Sequence, residues 1–397
     1  MRRKAKSFAS SILEIVSNHE DYRLNSCINM ICAENVTSKV VRKLISSDML
    51  HRYSSPIAHY KGTKYIDEIE NLANELAKEV FEAKYADVRP ISGLVADMAL
   101  LFNFVKKGDK VAMVSPEDGG FKGTSSIGIG SIIGYQDVYF AFDRDRYNIK
   151  VSESIEIVKR ERPKLLLFGA SYILFPQPVK EIVSYDKNTL AAYDASHVMG
   201  LIAGKRFQSP LKEGCQIIVG STHKSFFGPQ GGIILCSNYE VFNKIRENMW
   251  LKIVDNIHWN RVTALAYSLA EMLEFGEDYA SQVIRNSKVL GKALDENGIP
   301  VKARSYGYSE SHQVILDYNK IDEKERISKR LECAGIICDR GIRLGTSELT
   351  RRGMKEREME LIASLIADVL LKDEVEKVKR EVTKLTKEFQ EVHYTFN

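Results

Sequence analysis

An apolar, β-rich run, Cys215-Gln216-Ile217-Ile218-Val219, leads through Ser221 and Thr222 into the pair His223-Lys224. A second apolar run, Ile233-Ile234-Leu235-Cys236, leaves the turn made by Gly228-Pro229-Gln230-Gly231-Gly232. An ammonium at the end of a buried strand is costly unless the fold uses the amine. Thirty residues upstream of Lys224, the short strand Leu190-Ala191-Ala192-Tyr193 ends in Asp194-Ala195-Ser196-His197. That separation is about one strand–crossover–strand unit, so the acid and the lysine can meet at the same edge of a parallel sheet. A lone lysine here would read as a surface residue of a hairpin, but its neighbourhood argues otherwise. An amine crowded by other cations loses its proton and attacks an aldehyde, giving a Schiff base. Pyridoxal phosphate (PLP) needs this pair, a lysine for its aldehyde and a carboxylate that keeps its pyridine nitrogen protonated. His197 and His223 would flank the ring.

The rest of the chain frames this pair. Strands are expected at 110–114 and at 165–168, the second running into Gly169-Ala170-Ser171. Alternating strands and helices between Gly93 and Cys236 predict an α/β fold with a mainly parallel sheet covered on both faces. Sites in such sheets lie at the carboxyl ends of the strands, where Ser171, Asp194 and Lys224 all fall. Tyr65, Ile69, Leu72, Leu76 and Val80 recur every three or four residues and predict an amphipathic helix over 65–81. A second helix opens at Ser92-Gly93 and runs through Phe104; free amides and the dipole at such a start attract an anion, although a Ser-Gly cap is common in itself. Helices are also expected over 7–20, from Trp250 to Glu274, and over 375–389 with an apolar seam at Val375, Val378, Val382, Leu385 and Phe389.

Bulk properties exclude several classes. A chain of 397 residues suffices for a large core and two domains, and its net charge of +4 does not call for nucleic acid or an anionic membrane. The basic start Met1-Arg2-Arg3-Lys4 is followed by no long apolar run, so no signal peptide or membrane span is read. The six cysteines lack paired CxxC spacing and read as reduced core thiols, hence a cytoplasmic location. No metal-ligand set is assigned.

Ser221-Thr222-His223-Lys224 followed by Gly228-Pro229-Gln230-Gly231-Gly232, with Asp194-Ala195-Ser196-His197 upstream, resembles the serine hydroxymethyltransferase family from about Ile28 to the C-terminus. The resemblance implies a fold type I PLP-dependent transferase. Its large domain (41–280) carries a mostly parallel sheet of the seven-stranded type, an N-terminal arm (1–40) packs on a second subunit, and a smaller α+β domain (281–397) follows. It implies a homodimer with shared active sites. By resemblance Lys224 bears the Schiff base, Asp194 supports the pyridinium, and Ser171 lies near the phenolic oxygen. Ser92 and Gly93 hold the phosphate, helped by Tyr53 from the partner subunit, and Phe121 stacks on the ring. Arg343, in Gly341-Ile342-Arg343-Leu344-Gly345-Thr346, grips the substrate carboxylate with two parallel hydrogen bonds. Tyr60 and Glu34 also fall at substrate positions.

The departures from the family pattern bear on the reaction. Ala33 replaces a serine that helps hold the carboxylate, Leu94 a serine of the phosphate cup, and Phe121 a ring-stacking histidine. Ser55 stands where the family has its catalytic glutamate, and a hydroxyl cannot serve as a base with a carboxylate's pKa; His59 is a candidate replacement. The segment Lys252–Asn260 does not keep the family's glycine-rich loop, and about a dozen residues of a folate-contacting loop are missing before Gly341. The cofactor core is therefore kept and the tetrahydrofolate wall is not. This predicts an aldolase or transaldolase that makes or breaks the Cα–Cβ bond of a β-hydroxy amino acid without folate. The alternatives are folate-dependent glycine/serine interconversion and a PLP-binding pseudoenzyme with a regulatory role.

Overall fold

A computed structural model describes residues 2–54, 60–250 and 252–396. Its centre is a seven-stranded sheet: β1 (Tyr85–Asp87), β2 (Lys110–Met113), β3 (Gln136–Tyr139), β4 (Leu165–Phe168), β5 (Leu190–Asp194), β6 (Ile217–Ser221) and β7 (Gly232–Cys236). The order across the sheet is β1-β7-β6-β5-β4-β2-β3. Every neighbouring pair is parallel except those of β7, which runs antiparallel to β6 and β1. The antiparallel strand follows from the short Gly-Pro turn, which has no room for a crossover helix. Ile217, Val219, Leu165, Leu166, Ala191 and Leu235 are fully buried, as expected for strands covered on both faces.

The helix Lys64–Phe81 forms as expected, but its buried face is shifted. Ile66, Ala73, Ala77 and Val80 are buried, whereas Tyr65 and Leu72 are exposed. The alanines allow a close approach to the long helix Trp259–Glu296, against which this helix packs. The helix expected from Trp250 begins only at Trp259, after the left-handed His258 (φ 60°), and extends to Glu296. The N-terminal helix also runs further than its apolar residues predict, from Arg2 to Asn25.

Two large buried cores result, beside a small third cluster of Leu174, Phe175, Ala303 and Ile315. One surrounds the central sheet; the other joins Ile28, Met30, Leu290, Leu294, Ile336, Leu344 and Ile366. The division expected at 280/281 therefore falls inside the long helix, whose later turns enter the second core. Ile28–Asn29, expected in the arm, pairs in parallel with Ile336–Ile337. The helix Val375–Glu388 buries Val378, Val382 and Leu385 on this second core. Cys27, Cys32, Cys215 and Cys236 are buried free thiols, while Cys333 is exposed. No described helix is long and apolar enough to cross a membrane.

Candidate active site

The parallel strands bring their carboxyl ends to one edge of the sheet. Ser92, Gly93 and Leu94 follow β1, Phe121 follows β2, Ser171 follows β4, Asp194 ends β5, and His223 and Lys224 follow β6. All of them line one cavity of about 160 Å³, together with Asp97, Ser196, His197 and Ser221. Two glycines make this convergence possible. Gly169 has φ +94°, and a Cβ there would lie 2.0 Å from the Asp194 carbonyl oxygen. A Cβ on Gly93 would lie 2.9 Å from the Ser221 nitrogen, so only glycine lets this helix start abut the lysine strand.

Hydrogen bonds fix the edge. The Ser196 amide donates to Asp194 Oδ1 (2.9 Å), and the Ser221 amide donates to Ser196 Oγ (3.0 Å). Ser92 Oγ accepts from the Val95 amide (3.2 Å), capping the helix whose first turn opens on the cavity. Asn35 Nδ2 donates to the Lys224 carbonyl (2.8 Å), and the Tyr279 hydroxyl donates to that of Ser225 (2.9 Å). The turn bearing the lysine is thus held by its backbone, leaving the amine to the cavity.

Burial dominates the electrostatics. It lowers the Lys224 pKa below the usual lysine range, against Asp194, and the Arg343 guanidinium lowers it further. Burial also pushes His197 well below 6.5, with Lys224 and Arg343 adding to the shift, and His223 down to about 4, with Lys224 assisting. Both imidazoles are neutral at pH 7. Asp97 moves the other way: burial, then the neighbouring Asp194, raise its pKa well above the carboxylate range.

The remaining expected residues lie around this cavity. Arg343 sits beside it: its guanidinium donates to the Ser171 carbonyl and to Asp339 (2.6 Å) and stacks on Tyr172 at 4.2 Å. It arrives on the small strand Arg343–Gly345, paired with Gln313–Ile315, so Gln313 reaches the Ser171 carbonyl (3.1 Å) and His197 Nδ1 (3.2 Å). Glu34 is not in the cavity; Arg23 holds it at 2.5 Å and Asn29 at 2.9 Å. Tyr53 and Tyr60 are also outside, edge to face with each other at 5.3 Å, and they line two separate clefts of about 730 and 700 Å³. Ser55 and His59 lie outside the described residues.

Several contributors escape sequence reasoning. Tyr279, His312 and Gln313, unlike Asn35 of the Glu34-Asn35 pair that the family resemblance retains, come from distant parts of the chain and carry no local signal. Asp97 had one, as the lone acid among the buried Ala96, Ala99, Leu100 and Leu101.

The family model described as serine hydroxymethyltransferase matches residues 6–366. The chain belongs to the serine hydroxymethyltransferase family. A serine hydroxymethyltransferase of Korarchaeum cryptofilum is 43% identical to it, over 98% of this chain and 96% of its own length. One from Methanocaldococcus jannaschii is 41% identical, over 96% and 94%. Among solved structures, an L-threonine transaldolase from Pseudomonas fluorescens superposes with a TM-score of 0.93 at 26% identity, covering 100% of this chain and 95% of that one. The protein is therefore a PLP-dependent enzyme of the hydroxymethyltransferase/aldolase type with the fold type I architecture. The cavity fits that cofactor. Asp97 Oδ1, Ser221 Oγ and His223 Nδ1 are buried there without a hydrogen-bond partner among the described residues. Orphaned polar atoms cost about 1–3 kcal/mol each, a penalty that a polar ligand relieves by pairing with them.

Proposed function

We propose that this enzyme cleaves and forms the Cα–Cβ bond of β-hydroxy amino acids, joining glycine to an aldehyde, without tetrahydrofolate. The observation carrying the reading is the single cavity that unites Lys224, Asp194, Ser92, Gly93, Ser171 and the two neutral imidazoles. Bound PLP supplies an aldehyde for an amine and a ring that withdraws electrons from a bond at Cα. Lys224 provides the amine; its depressed pKa favours the neutral, nucleophilic form. Asp194 holds the pyridine nitrogen protonated. The Ser92-Gly93 helix start binds the phosphate, and Phe121 covers the ring. Arg343 would grip the substrate carboxylate and so fix the orientation of the amino acid, which selects the bond at Cα that is cleaved. His223 and His197, neutral and within the cavity, are the groups able to take the β-hydroxyl proton as the aldehyde leaves.

Independence from folate is supported by Ser55 in place of the glutamate and by the short Cys338–Gly341 connection. The similarity to an L-threonine transaldolase supports a β-hydroxy amino acid as substrate. A second reading, folate-dependent transfer of a one-carbon unit, is favoured by the names of the archaeal relatives. Incubation with L-threonine and with L-serine, each with and without tetrahydrofolate, separates the two. Acetaldehyde and glycine released from threonine at a folate-independent rate are expected. Turnover confined to serine and requiring folate would overturn the proposal.

We also propose a cytoplasmic homodimer with shared sites. The N-terminal helix exposes Phe8, Ile12, Leu13, Ile15 and Val16 along its length, an unusual apolar face for a helix without a partner. Tyr53 and Tyr60, outside their own cavity, suit a role in the partner's. A monomeric mass by light scattering would contradict this.

A further inference from the structure

A short C-terminal segment ties both cores to the lysine turn. Arg351, on the small helix Ser347–Arg351, and Glu271, on the long helix, form an ion pair at 2.9 Å in which both side chains have no exposure. A fully buried pair is expensive to desolvate and needs its remaining polar atoms satisfied. The segment His393–Phe396 satisfies all but Arg351 Nε, which has no partner among the described residues. The Arg351 guanidinium donates to the carbonyls of His393 and Tyr394, the His393 amide returns a bond to the Arg351 carbonyl (2.8 Å), and Thr395 Oγ1 donates to Glu271. Packing agrees with the bonding. The His393 ring lies so close to Gly353 that a Cβ there would meet Nε2 at 2.5 Å, and Phe396 packs on Tyr267 (5.9 Å) and Phe275 (5.2 Å).

From this anchor the contacts run inward. Tyr394 packs edge-on against Tyr279 at 5.5 Å, and Phe227 packs against Tyr279 at 5.0 Å. Phe227 in turn lies under the Arg351 guanidinium at 3.7 Å. Tyr279, fully buried between them, donates to the Ser225 carbonyl (2.9 Å) and accepts from Asn35 (2.9 Å), which also holds the Lys224 carbonyl. Two successive carbonyls of the lysine turn therefore depend on one tyrosine and one asparagine, and the tyrosine depends on the segment.

We propose that His393–Phe396 is a strap that positions the Lys224 turn through Tyr279, with Tyr394 as the positioning residue. The proposal rests on reading Lys224 as the lysine that takes PLP. Tyr394 touches neither cavity nor ligand; it acts by closing one face of the Tyr279 ring.

The test uses the full chain with Tyr394→Ala, Tyr394→Phe and Tyr279→Phe. Amide hydrogen exchange in the PLP-free protein is read at residues 222–228 and, as an internal reference, at Ile217–Ser221. In Tyr394→Ala, exchange over 222–228 should rise about tenfold while the strand stays within about twofold, because opening is local. The PLP dissociation constant should rise by a similar factor, and kcat should fall with little change in KM. Tyr394→Phe keeps the ring and should match the wild type. Tyr279→Phe removes the hydroxyl through which the strap reaches the Ser225 carbonyl and should raise exchange over 222–228 by a comparable factor, which keeps the test available if the alanine variant does not fold. Equal acceleration of turn and strand in Tyr394→Ala, or exchange over 222–228 unchanged in both Tyr394→Ala and Tyr279→Phe, would overturn the strap. Borohydride reduction of the wild type with PLP, followed by peptide mass analysis, checks the reading of Lys224 separately. If no label appears there, that reading fails while the exchange result still decides whether the strap holds the turn.

Discussion

The two ends of the site are built differently. The Lys224–Asp194 end sits on strand termini inside the core, with its donors fixed by backbone and buried side chains. The outward region, where Tyr53 and Tyr60 stand outside the cavity, is loop and cleft: Tyr60 is half exposed, and Tyr53 is held by Asp255 at 2.7 Å. The first is thus fixed by buried contacts within one chain, while the second stands on exposed clefts. A fold can keep the first and change the second: Lys224 and Asp194 are retained at strand ends, whereas the connection before Gly341 is shortened.

The sharpest way to break this contrast is to remove the lysine. Lys224→Ala should lose covalent attachment of PLP, seen as no label after borohydride, and lower activity by about a thousandfold or more, as expected for a nucleophile. Asp194 remains in this variant, so PLP should still bind reversibly; complete loss of PLP binding would mean that the pocket is less preorganised than its hydrogen bonds imply. Arg343→Lys comes next. An ammonium cannot reproduce a bidentate grip, so KM for the amino acid should rise by about a hundredfold with PLP affinity unchanged. A change in PLP affinity instead would show that Arg343, through the Ser171 carbonyl, belongs to the rigid end.

The same contrast governs what could be read from residues alone. Lys224, Asp194, Ser171 and the Ser92-Gly93 start were legible because each ends a strand or begins a helix, and strand ends in a parallel sheet meet by topology. Tyr279 and Gln313 were not legible, since nothing local distinguishes a buried tyrosine or glutamine that holds a carbonyl from any other. The offset face of Lys64–Phe81 was misread for a related reason: Ala73 and Ala77 carry the contact, and small residues give little hydrophobic signal. The long helix through residue 280 hides the passage between the cores, because its pattern is apolar against both.

Asp97 tests the rigid end more quietly, through pH. Its folded carboxyl keeps a proton that the unfolded chain releases above about pH 4. The folded state then binds more protons, so this group lowers stability as pH rises. His223, at about 4, and His312, at about 3, act oppositely: below about 6.5 the unfolded chain gains protons that the folded chain refuses, and stability is lost as pH falls. In PLP-free protein, Asp97→Asn removes the first contribution and leaves the second. Its stability advantage over the wild type by urea denaturation should grow by about 1.4 kcal/mol per pH unit above about pH 4, until Asp97 itself ionises. An advantage that stays flat with pH would mean that Lys224, the cation facing it, keeps Asp97 ionised against burial and Asp194.

The smallest effect belongs to the outward end. Tyr53→Phe deletes a hydroxyl whose partner within the chain is the exposed Asp255, and an exposed hydrogen bond of this kind contributes about 1 kcal/mol or less. Thermal stability should barely move. If Tyr53 serves the partner's cavity, the PLP dissociation constant should rise a few-fold, and only at concentrations where the dimer persists. The same small rise in fully dissociated protein would trace the effect to its own chain and dissolve the distinction between a self-contained cofactor end and a shared outer one. No rise under either condition would leave the phosphate to the Ser92-Gly93 helix start alone, making the rigid end more self-sufficient than the family resemblance implies.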